Sequence, residues 1–157
     1  FAENAEKKAR AVAERAGMWA VADDSGMCIE GLGGAPGIYS ARWAGEGASA
    51  EEIIRYTLEK ARHLPTCKRQ AWFESALVLV APDGRSWLFT GRVPGHITEE
   101  PRGVMRQKLP YDVIFMPTGH DRTFAEMSDA EKNSLSHRGL AFQKLRAFLT
   151  HEIQSYL

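Results

Sequence analysis

Apolar positions along residues 2–16 recur at helical spacing. Ala5, Ala9, Val12, Ala13 and Ala16 fall on one face, and Gly17 is placed to stop the helix. Trp19 to Ala22 is a short apolar run, read as a buried strand that delivers Asp23 and Asp24 at its C-terminal end. Residues 26–48 are rich in glycine and read mainly as loop. Ser49-Ala50-Glu51-Glu52 is a capping box, and the helix over about 50–62 turns Ile53, Ile54, Thr57, Leu58 and Ala61 inward. Gln70 to Ala81, rich in aromatic and branched residues, predicts a strand. Pro82-Asp83-Gly84-Arg85 predicts a turn, Ser86 to Val93 a returning strand, and Gly95 to Thr98 its extension. Val113 to Met116 is another short strand. Ser128-Asp129-Ala130-Glu131 starts a short helix, and a last helix runs from about Ser136 to near the C-terminus with Leu140, Leu145, Phe148 and Leu149 inward.

Strands and helices alternate around a long antiparallel pair, which predicts a mixed α/β domain with helices packed on a bent sheet. The 157 residues suit one domain over 1–157, without internal repeats. Twenty basic and twenty acidic side chains cancel, so the charge gives no case for a nucleic-acid or membrane-surface partner. No apolar run approaches the roughly 18 residues of a membrane span, and the N-terminus does not read as a signal. Cys28 and Cys67 lack metal-type spacing, which sets a soluble, reducing, cytoplasmic location as the default. The chain opens at Phe1 almost directly in a helix, so further residues are expected upstream.

Chemistry concentrates in four places. Asp23 and Asp24 sit at a strand end, where acids can hold a divalent metal; neighbouring side chains on a strand point to opposite faces, so one of the two faces a site. The loop Gly33-Gly34-Ala35-Pro36-Gly37 allows backbone amides to approach an anion, and Arg42 follows to contact phosphate or carboxylate. Tyr111-Asp112 pairs an aromatic that could stack on a base with a carboxylate that could accept from ring N–H groups; a packed tyrosine and a turn aspartate is the plain alternative. Lys132, Ser136, His137 and Arg138 cluster at a helix–turn–helix corner. An arginine there favours a purine with an oxygen at position 6 over adenine, which shows an amino donor at that place. Cations in a helix's first turn oppose its dipole by about 0.3–1 kcal/mol, so Arg138 calls for a reason other than helix stability. The five histidines have no zinc-type spacing.

Taken together, Ala22 to Gly26, Leu32 to Arg42, Tyr111 to Phe115, Thr123 to Met127 and Glu131-Lys132-Asn133 through Ser136-His137-Arg138 resemble the inosine triphosphate pyrophosphatase family, the house-cleaning enzymes for ITP, dITP and XTP. Phe1-Ala2-Glu3-Asn4-Ala5 is similar to the start of that family's second helix. The resemblance implies a long bent mixed sheet between two lobes, a site in the cleft, and a homodimer. It implies a Mg²⁺-dependent hydrolase that cuts a purine nucleoside triphosphate to monophosphate and pyrophosphate. Asp24 matches the acid that binds Mg²⁺ or activates water, with Asp23 as a second metal candidate. Ser25, Gly26, Arg42, Tyr111, Asp112, Lys132, Ser136, His137 and Arg138 match substrate-binding positions.

The family also carries an N-terminal strand and a Gly-Asn-x-x-Lys phosphate loop, expected upstream of Phe1. With that loop the enzyme reading stands. Without it, the same scaffold reads as a weakly active nucleotide-binding or oligomeric module whose bare sheet edge is covered by dimerisation. Before Tyr111 the family's Gly-Phe-Gly is replaced by Lys108-Leu109-Pro110. Leu109 forgoes an aromatic stack worth roughly 1–3 kcal/mol, and Pro110 fixes its own φ, so the loop path must differ.

Overall fold

The computed structural model describes residues 1–151. In chain order it contains helix α1 (Ala2–Ala16), strand β1 (Ala20–Ile29), helix α2 (Ala50–Ala61), strands β2 (Gln70–Val80), β3 (Ser86–Ile97) and β4 (Phe115–Pro117), and helices α3 (Asp129–Leu135) and α4 (His137–His151). The strands form one sheet in the order β1-β2-β3-β4, and β4 runs antiparallel to β3 with Gly95 opposite Pro117 and Ile97 opposite Phe115. The mixed α/β class is borne out.

The chain divides into two compact units. The first holds Phe1–Ser25, Glu74–Arg92 and the chain from Leu135 onward; the second holds Gly26–Phe73 and Val93–Ser134.

In the first unit the pleat of β2 explains the packing. Ala76, Val78 and Val80 join Ala5, Ala9 and Ala13 of α1 in one cluster. The alternate residues Leu77 and Leu79 join Ala141, Leu145 and Phe148 of α4 in another, bordered by Trp87 and Phe89. Period-two alternation thus gives each face of the strand its own helix. Only alanines line the buried stripe of α1; Val12, expected inward, is 57 % exposed, and Ala16 is exposed too. The inner stripe of α4 is His137, Ala141, Leu145 and Phe148, so Leu149 at 42 % exposure is not part of it. The sequence-based end of this helix beyond His151 lies outside the described residues. Gly91 of β3 lets the start of α4 come close: a Cβ there would stand 2.0 Å from the His137 carbonyl oxygen.

The second unit centres on Phe73, Phe115 and Phe124, whose rings lie 4.7 to 5.7 Å apart. The Ser49 cap forms as expected: its hydroxyl accepts from the Glu52 amide and Glu52 accepts from the Ser49 amide. Arg69 donates to the carbonyls of Ala61, Ile97 and Thr98 and ties the end of α2 to the end of β3.

Two expectations about β1 need correction. The strand continues through Gly26 to Ile29 rather than giving way to loop at residue 26, because Met27, Cys28 and Ile29 are apolar and buried. Its beginning is not a buried run: Trp19 is 37 % and Val21 45 % exposed. Asp23 and Asp24 therefore lie inside a strand, where side chains alternate. Val113 also belongs to a 3-10 turn over Pro110–Val113 rather than to β4.

Candidate active site

The strand pleat separates the two adjacent acids of the first unit. Asp24 Oδ2 accepts from Asn4 Nδ2 at 3.2 Å, and its other oxygen lies 3.8 Å from Lys8 Nζ. Asn4 and Lys8 are one turn apart on α1, so both reach the same point. The Lys8 ammonium also donates to the Asp23 carbonyl. Asp23 points elsewhere: its Oδ2 accepts from Arg138 Nε at 3.0 Å. Ser25 Oγ lies 3.3 Å from both Asp23 Oδ2 and Arg138 Nε, and 3.1 Å from the hydroxyl of Ser75.

The same unit holds Ser136 and His137 of the corner, whereas Lys132 belongs to the second unit. Ser136 is buried and its hydroxyl accepts from the Gly139 amide at 3.0 Å, capping α4. His137 is buried beside it, while Arg138 is half-exposed. The carboxylate of Asp23 supplies what Arg138 lacks from the helix dipole.

In the second unit Lys132 Nζ lies 2.5 Å from Asp112 Oδ2, and the two side chains are only 13 % and 11 % exposed. The same ammonium sits over the Phe124 ring. Tyr111 is buried, and its hydroxyl donates to the Ser40 carbonyl at 2.7 Å. Ser40 in turn donates to Gly37 and accepts from the Met27 amide. Burial pushes the Tyr111 phenol well above its ordinary range. Tyr111 is therefore the packed tyrosine of the two alternatives, with its ring unavailable for stacking, and it anchors the glycine loop. In that loop Gly33 and Gly37 take φ of 67° and 55°, which side chains resist. Arg42 is exposed and stacks its guanidinium 4.9 Å from the Tyr39 ring centre. Gly26 is buried inside β1.

The structure thus gathers Asp23, Asp24, Ser25, Ser136, His137 and Arg138 in one unit, and Gly26, Arg42, Tyr111, Asp112 and Lys132 in the other. Asn4, Lys8 and Ser75 were not singled out from sequence. The signal for the first two was present: two polar side chains four residues apart on a helix whose inner face is alanine. Ser75 carried no signal, being one small polar residue in an apolar strand. A groove of about 790 Å³ on the second unit, lined by Ile54, Leu58, Arg62, Leu64, Pro101 and Met105 among others, contains none of these residues. Among the described residues no three His, Cys, Asp or Glu side chains gather as a ready-made metal cage.

The Ham1 family model matches residues 1–148. The chain belongs to the Ham1 family. A curated relative named dITP/XTP pyrophosphatase from Leifsonia xyli subsp. xyli is 49 % identical over 142 residues, covering 90 % of this chain and 70 % of the relative. Another of the same name from Caulobacter vibrioides is 44 % identical over 149 residues, covering 95 % and 76 %. Among solved structures, the Staphylococcus aureus Ham1 protein superposes with a TM-score of 0.89 at 39 % identity, covering 97 % of this chain and 77 % of that one. A HAM1 protein from Coxiella burnetii matches equally, at 0.89 and 39 %, covering 96 % and 76 %. The resemblance read from the five sequence motifs is borne out by this Ham1 membership.

Proposed function

We propose that this Ham1 chain hydrolyses non-standard purine nucleoside triphosphates (ITP, dITP and XTP) to the monophosphate and pyrophosphate. The names of its curated relatives support the reaction. The observation in the molecule that carries the preference for a 6-oxo purine over adenine is the buried Asp112–Lys132 pair. It sets a donor and an acceptor side by side. A 6-oxo purine offers the complement, an oxygen at position 6 beside an N–H at position 1. Adenine offers the reverse, so the pair selects against it. In the first unit Arg138 is itself a forked donor of the kind that suits adjacent acceptors on a purine edge, placed at the start of α4 by the Ser136 cap.

Asp24 is the phosphate-side residue. A lone, partly exposed carboxylate fits Mg²⁺, which is commonly held by one or two carboxylates and completed by water and substrate phosphates. Asp24 would hold the ion, and the bound ion would neutralise charge on the reacting phosphate. Asn4 fixes one carboxylate oxygen, and Lys8 places a cation beside the place where negative charge develops. In this arrangement Asp24 takes the proton of the attacking water. Asp23, bound to Arg138, serves the base side rather than the metal. Tyr111 serves by holding the glycine loop, and Arg42 is left for phosphate.

The same reading includes a single domain, a homodimer and a cytoplasmic location. The family match spans residues of both units, Cys28 and Cys67 form no disulfide, and among the described residues no helix is long and apolar enough to cross a membrane. The test is pyrophosphate release from ITP and XTP against ATP at millimolar Mg²⁺. Release from the first two well above ATP is expected. Equal rates on all three would refute the base-reading role of the Asp112–Lys132 pair, and no release from any would refute the enzyme reading.

A further inference from the structure

We propose that Ser75 is a positioning residue for Arg138, acting through Ser25 and Asp23 to hold the guanidinium in one orientation. The inference rests on the reading above only where it touches purine choice; the positioning itself stands on the geometry of the first unit.

Ser75 lies on β2 and is 1 % exposed, so it reaches no ligand. Its hydroxyl is 3.1 Å from Ser25 Oγ, which in turn is 3.3 Å from Asp23 Oδ2 and 3.3 Å from Arg138 Nε. Ser25 has one proton and two acceptors within reach, Asp23 and Ser75. If the proton goes to Ser75, the carboxylate loses a bond. If Ser75 donates to Ser25 instead, Ser25 gives its proton to Asp23, and its lone pairs receive Ser75 O–H and Arg138 Nε–H. The second assignment satisfies each of these groups and keeps the stronger bond to a charged acceptor. The buried hydroxyl thereby sets the direction of the whole chain. Arg138 is then held by Nε at 3.0 Å from Asp23, and its terminal nitrogens, on a side chain 50 % exposed, keep their N–H groups for adjacent acceptors on a purine edge.

An exposed arginine held by a lone carboxylate would swing among rotamers. A second contact on the same nitrogen, itself backed by a buried hydroxyl, narrows that freedom. This is the pattern of an outer contact orienting a group that touches the ligand.

The test uses the full chain with Ser75→Ala and Ser75→Thr. One readout is hydrogen exchange at the arginine Nε–H followed by ¹H–¹⁵N correlation, the Arg138 peak being assigned by its loss in Arg138→Lys. The other is the ratio of kcat/KM for ITP over ATP. Ser75→Ala is expected to speed exchange and to lower the ratio by about fivefold, the scale of one hydrogen bond, with the loss falling on KM for ITP. Ser75→Thr, which keeps the hydroxyl, is expected to restore both. Ser25→Ala breaks the same chain from the half-exposed side and is expected to speed exchange equally, which keeps the test open if a Ser75 variant fails to fold. Unchanged exchange in Ser75→Ala overturns the proposal. Faster exchange with an unchanged ratio overturns its link to specificity. Faster exchange in a protein that releases no pyrophosphate from any nucleotide supports the positioning and refutes the proposed function instead.

Discussion

Three acid–cation pairings, two in the first unit and one in the second, are built from the same chemistry and differ in burial. In the first unit Asp24 faces Lys8, whose side chain is 55 % exposed, and Asp23 faces Arg138 at 50 %. In the second unit Asp112 and Lys132 are both nearly sealed. Exposed pairs contribute about 0–1 kcal/mol, so a substrate or ion can replace one partner at little cost. A buried pair resists such exchange, because removing one partner leaves a desolvated charge. The exposed Asp24–Lys8 pairing suits phosphate chemistry, where ligands must enter and leave. The sealed pair suits a fixed donor–acceptor template that recognises one base edge.

The comparison can be broken in several places. The largest effect is expected for Asp24→Ala, which should cut pyrophosphate release by about 10²- to 10⁴-fold, the usual scale for a general base, while circular dichroism stays native. Lys132→Met should lower stability in urea unfolding by about 3–5 kcal/mol through the stranded Asp112 carboxylate. The matching Lys8→Met, on the exposed side, should change stability by less than about 1 kcal/mol. Equal losses in the two variants would erase the contrast. Gly91→Ala drives a methyl group into the His137 carbonyl; overpacking of this kind costs about 1–3 kcal/mol. It should also disturb Arg138 one residue further on. Tyr111→Phe is expected to cost about 1 kcal/mol for the lost bond to Ser40.

Tyr111 also carries a pH dependence. Burial raises its phenol above the ordinary value of 10.0. The unfolded chain then loses that proton first as the solution turns alkaline, so the native state binds more protons. Stability from this group is complete below pH 10.0 and declines above it. Tyr111→Phe should flatten that alkaline decline, and an unchanged slope would contradict the buried, bonded phenol.

Local signals carried the helices well. The Ser49 and Ser128 boxes mark real starts, because capping is written in adjacent residues. The β2–β3 hairpin was equally legible from its Pro-Asp-Gly-Arg turn. The course of β1 was not, since Asp-Asp-Ser-Gly reads as turn chemistry while strand pairing and the burial of Met27 to Ile29 carry it onward. Val12 failed for a related reason: its spacing fits the inner face of α1, yet the cluster formed with β2 contains alanines alone from that helix. At the candidate site, sequence indicated the residue types and not their partners. That Asp23 would take Arg138 and Asp24 would take Lys8 depends on side chains far apart in the chain. Tyr111 was ambiguous in sequence, and burial resolved it in favour of packing.

The most direct test of the account is a steady-state comparison of Asp24→Asn and Asp112→Asn on ITP at saturating Mg²⁺. The account predicts that Asp24→Asn loses kcat with KM little changed, and that Asp112→Asn raises KM for ITP while narrowing its advantage over ATP. A wild-type kcat in Asp24→Asn, or an undiminished preference for ITP in a folded Asp112→Asn, would contradict it.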